Sequence, residues 1–387
     1  MSKVFIIGGL RTPIVISGTK FKKIRPEILG AEVIKNLVKK YKIESFDEII
    51  CGNAVGTGGN IARLMMLEGK FDEKISALTV DRQCASGAAA ISIGYAKILS
   101  GICECVIVGG AESSSLQPLR IYDEKDERYL KISEKNVQGG YYYAQFSPKE
   151  LDKFSMIRGA ERVAQAEKIT KKELDAWAII SHKRAAKSVE ILQEKIIEIF
   201  GIKFDNGIKI KNLEKIMERA PLPLGKNTVT SAGNSCRIND GAAFILLASE
   251  KFAKKNNLKP SAEILDVMAG GVNPLESPRG AMAIADKILE KNKISYENLS
   301  AIEFNEAFAV IDVLFERSHE NLVEIYNKFG GAIAYGHPYG ASGAILMINL
   351  LKSLEKNGGI GLMSIAGAGG TGEAILIKNK NLRPKKV

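Results

Sequence analysis

Two stretches of this chain share one tetrapeptide: Cys84-Ala-Ser-Gly-Ala88 and His337-Pro-Tyr-Gly-Ala-Ser-Gly-Ala344. In each, Ala-Ser-Gly-Ala follows a reactive side chain, directly after Cys84 in the first copy and four residues after His337 in the second. The similarity continues through an apolar run of helical length, a glycine, and a strand-like run that ends in a turn of small residues: 89–100, Gly101 and 106–111, then 345–357, Gly358 and 363–368. The repeat predicts two related halves, each presenting a nucleophile or a base at the start of a helix.

Short β-like runs alternate with amphipathic stretches over the first ~115 residues. Such alternation predicts a sheet with parallel strands covered by helices. The predicted strands are 4–7, 48–51, 77–80 and 105–108, and the predicted helices are 26–40, 58–68 and 86–100.

The last ~125 residues repeat this order with strands at 262–267 and 300–304 and a helix at 279–291. The period is far longer than that of a solenoid, so a duplicated domain is the better interpretation. The intervening segment has a different composition, and a capping box of Thr170 and Glu173 begins a predicted helix at 171–192. We therefore assign 1–114 with about 240–259 to an N-terminal half, 115–239 to an inserted loop domain, and 260–387 to a C-terminal half.

Composition excludes few functions. The chain carries 55 Lys and Arg against 44 Asp and Glu, but the basic residues are interleaved with glutamates and form no nucleic-acid motif. No run of about 18 apolar residues predicts a membrane span. The start of the chain reads as a first strand rather than a signal peptide, and five scattered cysteines are typical of free thiols in a reducing compartment. We expect a cytoplasmic protein without nucleic-acid or membrane partners.

Three residues are candidates for catalysis. Cys84 precedes a helix, where the helix dipole and free backbone N–H groups favour a thiolate, although a buried inert cysteine is the alternative. His337 lies in the rigid turn Gly336-His-Pro-Tyr-Gly340 and could act as a base or an oxyanion donor rather than as a turn residue bonded to the backbone. Asn305 ends a strand, where it could hold a water, orient a histidine or cap the next helix.

Two further patterns point to no cofactor. Residues 367–372 match the dinucleotide fingerprint G-x-G-x-x-G, but a strand follows instead of a helix, so a glycine-rich turn that offers N–H groups to an oxyanion is favoured. Cys103 and Cys105 lack a second pair of metal ligands at suitable spacing, so no metal site is predicted.

The whole chain resembles the thiolases, the acyl-CoA C-acyltransferases. The motifs that carry the resemblance are Arg11-Thr-Pro13, Asp81-Arg-Gln-Cys-Ala-Ser-Gly87, Ser231-Ala-Gly-Asn-Ser-Cys-Arg-Ile-Asn-Asp-Gly241, Phe304-Asn-Glu-Ala-Phe308 and Gly336-His-Pro-Tyr-Gly-Ala-Ser-Gly343. The resemblance implies an α/β fold with two mixed halves in a five-layer αβαβα core, and an inserted loop domain that binds coenzyme A. It also implies a homodimer or homotetramer, acyl-CoA as the substrate, no further cofactor, and a place in fatty acid or lipid metabolism.

The resemblance also implies roles for residues. Cys84 would carry the acyl group as a thioester, His337 would activate Cys84, and Asn305 would anchor a water that completes an oxyanion hole with His337. The N–H groups of Cys84 and Ala368 would form a second oxyanion hole. The coenzyme A channel would be lined by Met156, Ala232, Ser235, Cys236, Ala307 and Phe308.

One position departs from the family pattern. Thiolases usually carry a second cysteine in the C-terminal glycine-rich turn, where it transfers the α-proton of acetyl-CoA; here Ala366 occupies that position. Acylation of Cys84 needs no such group, but carbon–carbon bond chemistry does. Another group or a water could replace the thiol, the donor could decarboxylate, the acyl group could pass to another acceptor, or the alanine could be an engineered substitution. At Cys236 the family commonly has a serine.

Within the family pattern, short-chain substrates such as acetoacetyl-CoA or another 3-ketoacyl-CoA are expected. A hypothesis of another class is a non-catalytic acyl-CoA-binding subunit, but such a protein needs none of Cys84, His337 and Asn305. A papain-like cysteine hydrolase also uses Cys, His and Asn, but its local sequence around the cysteine is absent.

Overall fold

The computed structural model describes residues 3–56, 58–133, 140–148 and 153–379. The assignments of the terminal halves extend to residues 1–2 and 380–387, which lie outside the described part. The strands of the described ranges are β1 (Val4–Arg11), β2 (Val15–Ile16), β3 (Glu48–Gly52), β4 (Ser76–Val80), β5 (Cys105–Ser113), β6 (Arg120–Ile121), β7 (Gly140–Tyr141), β8 (Asn239–Ser249), β9 (Ala262–Gly271), β10 (Leu299–Phe304), β11 (Gly359–Gly367) and β12 (Thr371–Asn379).

The helices complete the description. They are α1 (Pro26–Tyr41), α2 (Ile61–Glu68), α3 (Ser86–Leu99), α4 (Glu127–Ser133), α5 (Ser155–Ala166), α6 (Lys171–Leu192), α7 (Leu213–Glu218), α8 (Glu250–Lys255), α9 (Gly280–Asn292), α10 (Ala309–Ser318), α11 (Ala332–Tyr335) and α12 (Ser342–Leu354). No helix in the described ranges is sufficiently long and apolar to cross a bilayer.

The large sheet is mixed and has the order β10-β11-β12-β9-β1-β8-β5-β3-β4, with β2 on β8. It consists of two groups of strands, β9 to β12 in one half and β1, β8, β5, β3 and β4 in the other. Among the described residues, β1 and β9 join the groups through two paired positions, Phe5 with Glu263 and Ile6 with Ala262. Each group contains parallel pairs, β3 with β4 and β5 in one and β10 with β11 in the other. The alternation of strands and helices in the sequence predicted these crossovers.

Strand side chains alternate between helix layers, as a period of two requires. In β5, Val106 and Val108 face a central core with α3 and α12, whereas Cys105 and Ile107 face an outer core with α1 and α2. In β11, Met363 faces the central core, while Leu362 faces a second outer core with α9 and α10. Three helix layers therefore enclose two groups of strands, which gives the α/β order αβαβα.

The two Ala-Ser-Gly-Ala copies meet in the central layer. A Cβ at Gly87 would lie 2.5 Å from the carbonyl oxygen of Gly340, and a Cβ at Gly343 would overlap the backbone nitrogen of Ala88. The first turns of α3 and α12 thus touch backbone to backbone, and only glycine permits this approach. The repeated tetrapeptide brings the Cys84 and His337 segments together.

Most predicted elements are confirmed, including α6 at 171–192, whose capping box is formed by Thr170 and Glu173. The start predicted for α2, residue 58, is wrong. Asn60 caps the helix by accepting a hydrogen bond from the Arg63 N–H at 3.3 Å, and Gly58 and Gly59 have positive φ angles of 82° and 70°. The helix therefore begins at Ile61, because the cap and the left-handed glycines exclude an earlier start.

The segment between β5 and β8 carries α4 to α7 and the small ribbon of β6 and β7. Helix α6 packs on α10 and α11 of the C-terminal half. Its Ser181 hydroxyl donates to the buried carboxylate of Glu306 at 2.5 Å, immediately after Asn305. The inserted segment is thereby fixed to the loop that follows β10.

Candidate active site

Cys84 lies in a tight turn between β4 and α3. Gln83 has a left-handed φ of 51°, which is unusual for a residue other than glycine, and the Asp81 carboxylate accepts from the Gln83 N–H at 2.7 Å. The Ser86 hydroxyl accepts from the N–H of Arg82 at 2.8 Å and donates to the carbonyl of Gln83 at 2.6 Å. These bonds hold the turn that presents the thiol.

The thiol of Cys84 is surrounded by backbone donors. The N–H groups of Ala368 and of Cys84 itself both hydrogen-bond to it. Ala368 follows β11, so the glycine-rich turn of the C-terminal half reaches the nucleophile of the N-terminal half. Two N–H groups that converge on this point could also stabilise an oxyanion formed there.

His337 is held in a turn by hydrogen bonds to its backbone. Its N–H donates to the carbonyl of Arg237 at 3.1 Å, with Asn239 Oδ1 at 3.2 Å. Gly336 has a φ of 112° and lies against the Asn239 side chain, where a Cβ would collide. Glycine is therefore required before the histidine.

The imidazole of His337 is oriented by two neighbours. Its Nδ1 lies 2.6 Å from Ser342 Oγ, and that hydroxyl donates to the carbonyl of Pro338 at 3.1 Å. Since the hydroxyl proton is used there, the oxygen accepts from Nδ1–H, and Nε2 is left as the basic nitrogen. The amide Nδ2 of Asn305 lies 3.4 Å from Nε2, which fits a weak donor to that lone pair. The structure brings His337 and Asn305 together as the sequence predicted.

Burial sets the charge of the resting groups. It lowers the pKa of His337 to about 3, so the imidazole is neutral near pH 7. Burial also raises the pKa of the Cys84 thiol to about 12, although the N–H groups of Ala368 and Cys84 oppose this rise. The expectation that the helix start favours the thiolate is wrong for the resting protein. A rise from 9.0 to about 12 corresponds to about 4 kcal/mol, whereas a helix dipole typically contributes about 0.3–1 kcal/mol.

Ala366 sits near the end of β11, opposite Gly372 of β12, and is buried. The following turn contains Gly369 and Gly370, both with positive φ, so residues 367–372 form a hairpin turn between two strands. The rejection of a dinucleotide site at this sequence is consistent with that geometry. At position 366 the side chain is a methyl group, which transfers no proton.

Most residues predicted to line the coenzyme A channel cluster together. The Cys236 N–H donates to the Ala307 carbonyl at 3.0 Å, and Ser235 pairs with Phe308. Ala307 and Phe308 belong to the outer core against which Met156 and Cys236 pack. The sixth predicted residue, Ala232, is exposed and donates its N–H to the Pro221 carbonyl at 2.9 Å.

Three residues near the site were missed by sequence reasoning. Ser342 lies within the second tetrapeptide, and Tyr339 packs its ring edge-on against His337 with centroids 4.9 Å apart. The third, Glu112, is buried and accepts from the N–H groups of Ala54 and Gly340, each at 2.9 Å. A carboxylate at the end of a strand as apolar as 105–111 was the available signal for Glu112.

Glu112 joins the two halves at the site. Its other oxygen accepts from Asn53 Nδ2 at 2.7 Å, so one carboxylate holds both the loop after β3 and the turn of His337. Burial raises the pKa of Glu112 to about 7, against the opposing hydrogen bonds from Ala54, Gly340 and Val55. A carboxyl group whose pKa is raised toward neutrality therefore links the two halves.

Comparisons with known proteins agree with this architecture. The family model of the thiolase N-terminal domain matches residues 4–251, and that of the thiolase C-terminal domain matches residues 258–379. The chain belongs to the thiolase family, and it is an acyltransferase that acts on acyl-CoA.

Among the similar curated proteins, the putative acetyl-CoA C-acetyltransferase VraB of Staphylococcus haemolyticus is 33% identical over 98% of this chain and 99% of its own length. The steroid 3-ketoacyl-CoA thiolase FadA6 of Mycobacterium tuberculosis is 30% identical over 98% of this chain and 94% of its own. The structure of the Acat5 thiolase from Ascaris suum in complex with coenzyme A superimposes with a TM-score of 0.86 at 27% identity, covering 97% of this chain and 100% of that one.

Proposed function

We propose that this protein transfers short acyl groups from acyl-CoA through a thioester on Cys84. The observation that supports the proposal is that the turns of Cys84 and His337 meet, with Gly87 against Gly340, while the Asn305 amide lies 3.4 Å from the His337 imidazole. A neutral thiol and a neutral base on adjoining turns suit a reaction in which the proton moves only as the sulfur attacks.

The first step forms the Cys84 thioester. The sulfur of Cys84 attacks the acyl carbonyl carbon, while its proton passes to Nε2 of His337. The carbonyl oxygen becomes an oxyanion, for which the N–H groups of Cys84 and Ala368 are suitable donors. When the tetrahedral intermediate collapses, the bond to the coenzyme A sulfur breaks, and that sulfur takes the proton from His337.

The incoming thioester requires a channel. The cluster of Met156, Cys236, Ala307 and Phe308 offers apolar surface for pantetheine next to His337. The coenzyme A complex of the Acat5 relative supports a coenzyme A site in this chain. The relatives that are named as thiolases support 3-ketoacyl-CoA as a substrate. Cytoplasmic location, assembly as a homodimer or homotetramer, and the division into two halves and a loop domain stay predictions.

The alanine at position 366 supports a narrower second candidate, an acyltransferase that condenses with a decarboxylating donor. Loss of CO₂ creates the carbanion without removal of an α-proton, so Ala366 would be no obstacle. In this candidate thiolysis of acetoacetyl-CoA is absent.

The test is incubation with radiolabelled acetyl-CoA followed by peptide mapping. Label is expected on Cys84 in the unaltered protein and in Cys103→Ala, because Cys103 is buried just before the start of β5, whereas Glu112 near the other end of that strand reaches the His337 turn. Cys84→Ala should take up no label. A folded, unaltered protein without label on Cys84 refutes the proposed mechanism and would leave a non-catalytic acyl-CoA-binding role. Thiolysis of acetoacetyl-CoA then separates the main proposal from the decarboxylating candidate.

A further inference from the structure

Cleavage of a 3-ketoacyl-CoA demands two proton transfers, and the groups assigned so far supply one. When Cys84 attacks the 3-keto carbon, His337 takes the thiol proton. The carbon–carbon bond then breaks and leaves a carbanion on the α-carbon of acetyl-CoA. A second acid must protonate that carbon, and the methyl group of Ala366 cannot. The inference below rests on the proposed acyl transfer and asks which residue is this acid.

This chain has a second partly exposed thiol, Cys236, in the segment between the loops of Asn305 and His337. Of its five cysteines, Cys51, Cys103 and Cys105 are buried in the cores, whereas Cys84 and Cys236 retain partial exposure. A group that serves a substrate must be reachable, so only these two thiols qualify.

Backbone hydrogen bonds fix Cys236 between the two catalytic loops. Its N–H donates to the Ala307 carbonyl at 3.0 Å, and the Ala307 N–H donates to the Asn305 carbonyl at 2.9 Å. On the other side, the Arg237 carbonyl accepts from the His337 N–H at 3.1 Å. Cys236 is thus one residue from the turn of His337 and one hydrogen bond from the loop of Asn305.

The surroundings of Cys236 suit a neutral acid. Its side chain packs against the outer-core cluster that also contains Ala366, where a charged thiolate is disfavoured. Burial raises the pKa of the Cys236 thiol, and the charge of a Cys84 thiolate raises it further. Cys236 therefore holds its proton at rest.

We propose that Cys236 is the acid that protonates the acetyl-CoA carbanion during thiolysis, in place of a thiol at position 366. In the first half-reaction the proton of Cys84 moves to His337, the carbon–carbon bond breaks, and the Cys236 proton moves to the α-carbon. Acetyl-CoA leaves, with acyl-Cys84, protonated His337 and the Cys236 thiolate remaining.

The second half-reaction restores the resting state. The proton of His337 first passes to the Cys236 thiolate. Coenzyme A then gives its thiol proton to His337 and attacks acyl-Cys84. The bond to the Cys84 sulfur breaks, and this sulfur takes the proton from His337. In the direction of condensation the Cys236 thiolate is the base that removes the α-proton.

Tyr339 is the other candidate acid. Its ring contacts His337, and burial together with the charges of Cys236 and Cys84 raises the pKa of its phenol. A phenol is ordinarily a weaker acid than a thiol, about pKa 10 against about 8.5, so we assign the proton to Cys236. The variant Tyr339→Phe tests this choice.

The experiment compares two rates in each variant: labelling of Cys84 by radiolabelled acetyl-CoA, which needs no second acid, and thiolysis of acetoacetyl-CoA. In Cys236→Ser we expect the ratio of thiolysis to labelling to fall by at least ~100-fold, the usual contribution of a general acid. Serine keeps the polar side chain and nearly the size, so a defect in coenzyme A binding alone lowers both rates together. Cys103→Ala is the matched cysteine control.

Restoration is the second readout. Ala366→Cys in the Cys236→Ser protein should recover thiolysis, because a thiol then stands near the glycine-rich turn again. The proposal is overturned if Cys236→Ser leaves the ratio of thiolysis to labelling unchanged, or if it lowers both rates in parallel. It is also overturned if Tyr339→Phe loses thiolysis selectively and Cys236→Ser does not. If the unaltered protein labels Cys84 but does not cleave acetoacetyl-CoA, this inference fails while acyl transfer stands. Absence of labelling refutes both.

Discussion

Replacing Ser342 by alanine tests how the base of this site is prepared. The Ser342 hydroxyl accepts from Nδ1–H of His337 at 2.6 Å, and both side chains are buried. Without the hydroxyl, Nδ1–H loses its acceptor, or the proton moves to Nε2 and blocks the nitrogen that must receive the proton of Cys84. Ser342→Ala should therefore lower the rate of Cys84 acylation.

The magnitude follows from the burial of the bond. Leaving a buried donor unsatisfied costs about 1–3 kcal/mol. Because about 1.4 kcal/mol corresponds to a factor of ten in rate, the acylation rate should fall by about 5- to 150-fold. Because the bond lies within the protein and does not touch the substrate, the acetyl-CoA concentration that gives half-maximal labelling should change far less.

The assay is the rate of Cys84 labelling at saturating acetyl-CoA, with thermal unfolding of each variant as a check on folding. Ser353→Ala is the matched control, since Ser353 lies on the same helix α12 and its hydroxyl has no hydrogen-bond partner among the described residues. Ser342→Thr keeps an acceptor oxygen and should retain more activity than Ser342→Ala. Labelling of folded Ser342→Ala at the unaltered rate would refute the assignment of the basic nitrogen.

Three further predictions concern protonation and packing. Since burial holds the pKa of His337 at about 3, labelling of Cys84 should show no acid limb between pH 5 and 8, and an inflection near pH 6.5 would contradict this. A Cβ at Gly343 would overlap the Ala88 backbone, so Gly343→Ala should lower the melting temperature and the labelling rate well below those of Gly271→Ala, where the nearest atom is 3.6 Å away. Burial raises the pKa of Glu112 from 4.5 to about 7, so between those pH values the folded state binds this proton and the unfolded state does not. The contribution of Glu112 to the free energy of unfolding therefore falls by about 3 kcal/mol as the pH rises through that window. Urea titrations at pH 4.5 and 7 should show a correspondingly smaller fall in Glu112→Gln, and parallel curves would contradict the assignment.

Elements with strong local signals were predicted accurately. The bounds of α6 follow from its capping box and from its length of periodic sequence. Strand β3 was predicted to within one residue because its apolar run is short and bounded. The start of α2 was missed, because two glycines and an asparagine cap form a local alternative that apolar periodicity does not reveal.

Sequence reasoning named candidate side chains for the site but not their protonation. Cys84 precedes helix α3, as the sequence predicted, but burial raises the pKa of its thiol, against the expected thiolate. Its environment is assembled from segments far apart in the chain, including the turn of Ala368 and the carboxylate of Glu112. Nothing near position 84 in the sequence encodes that burial.

The sequence by itself determined the duplicated α/β plan and the inventory of reactive groups. Periodicity and glycine positions are local properties, so the twin Ala-Ser-Gly-Ala copies could be interpreted directly. The tertiary structure alone decided which groups meet and in which protonation state. Only there does Ser342 orient His337, and only there does Cys236 lie between the loops of Asn305 and His337. The physical reason is that desolvation depends on every segment packed around a group, whereas the sequence reports only the neighbours along the chain.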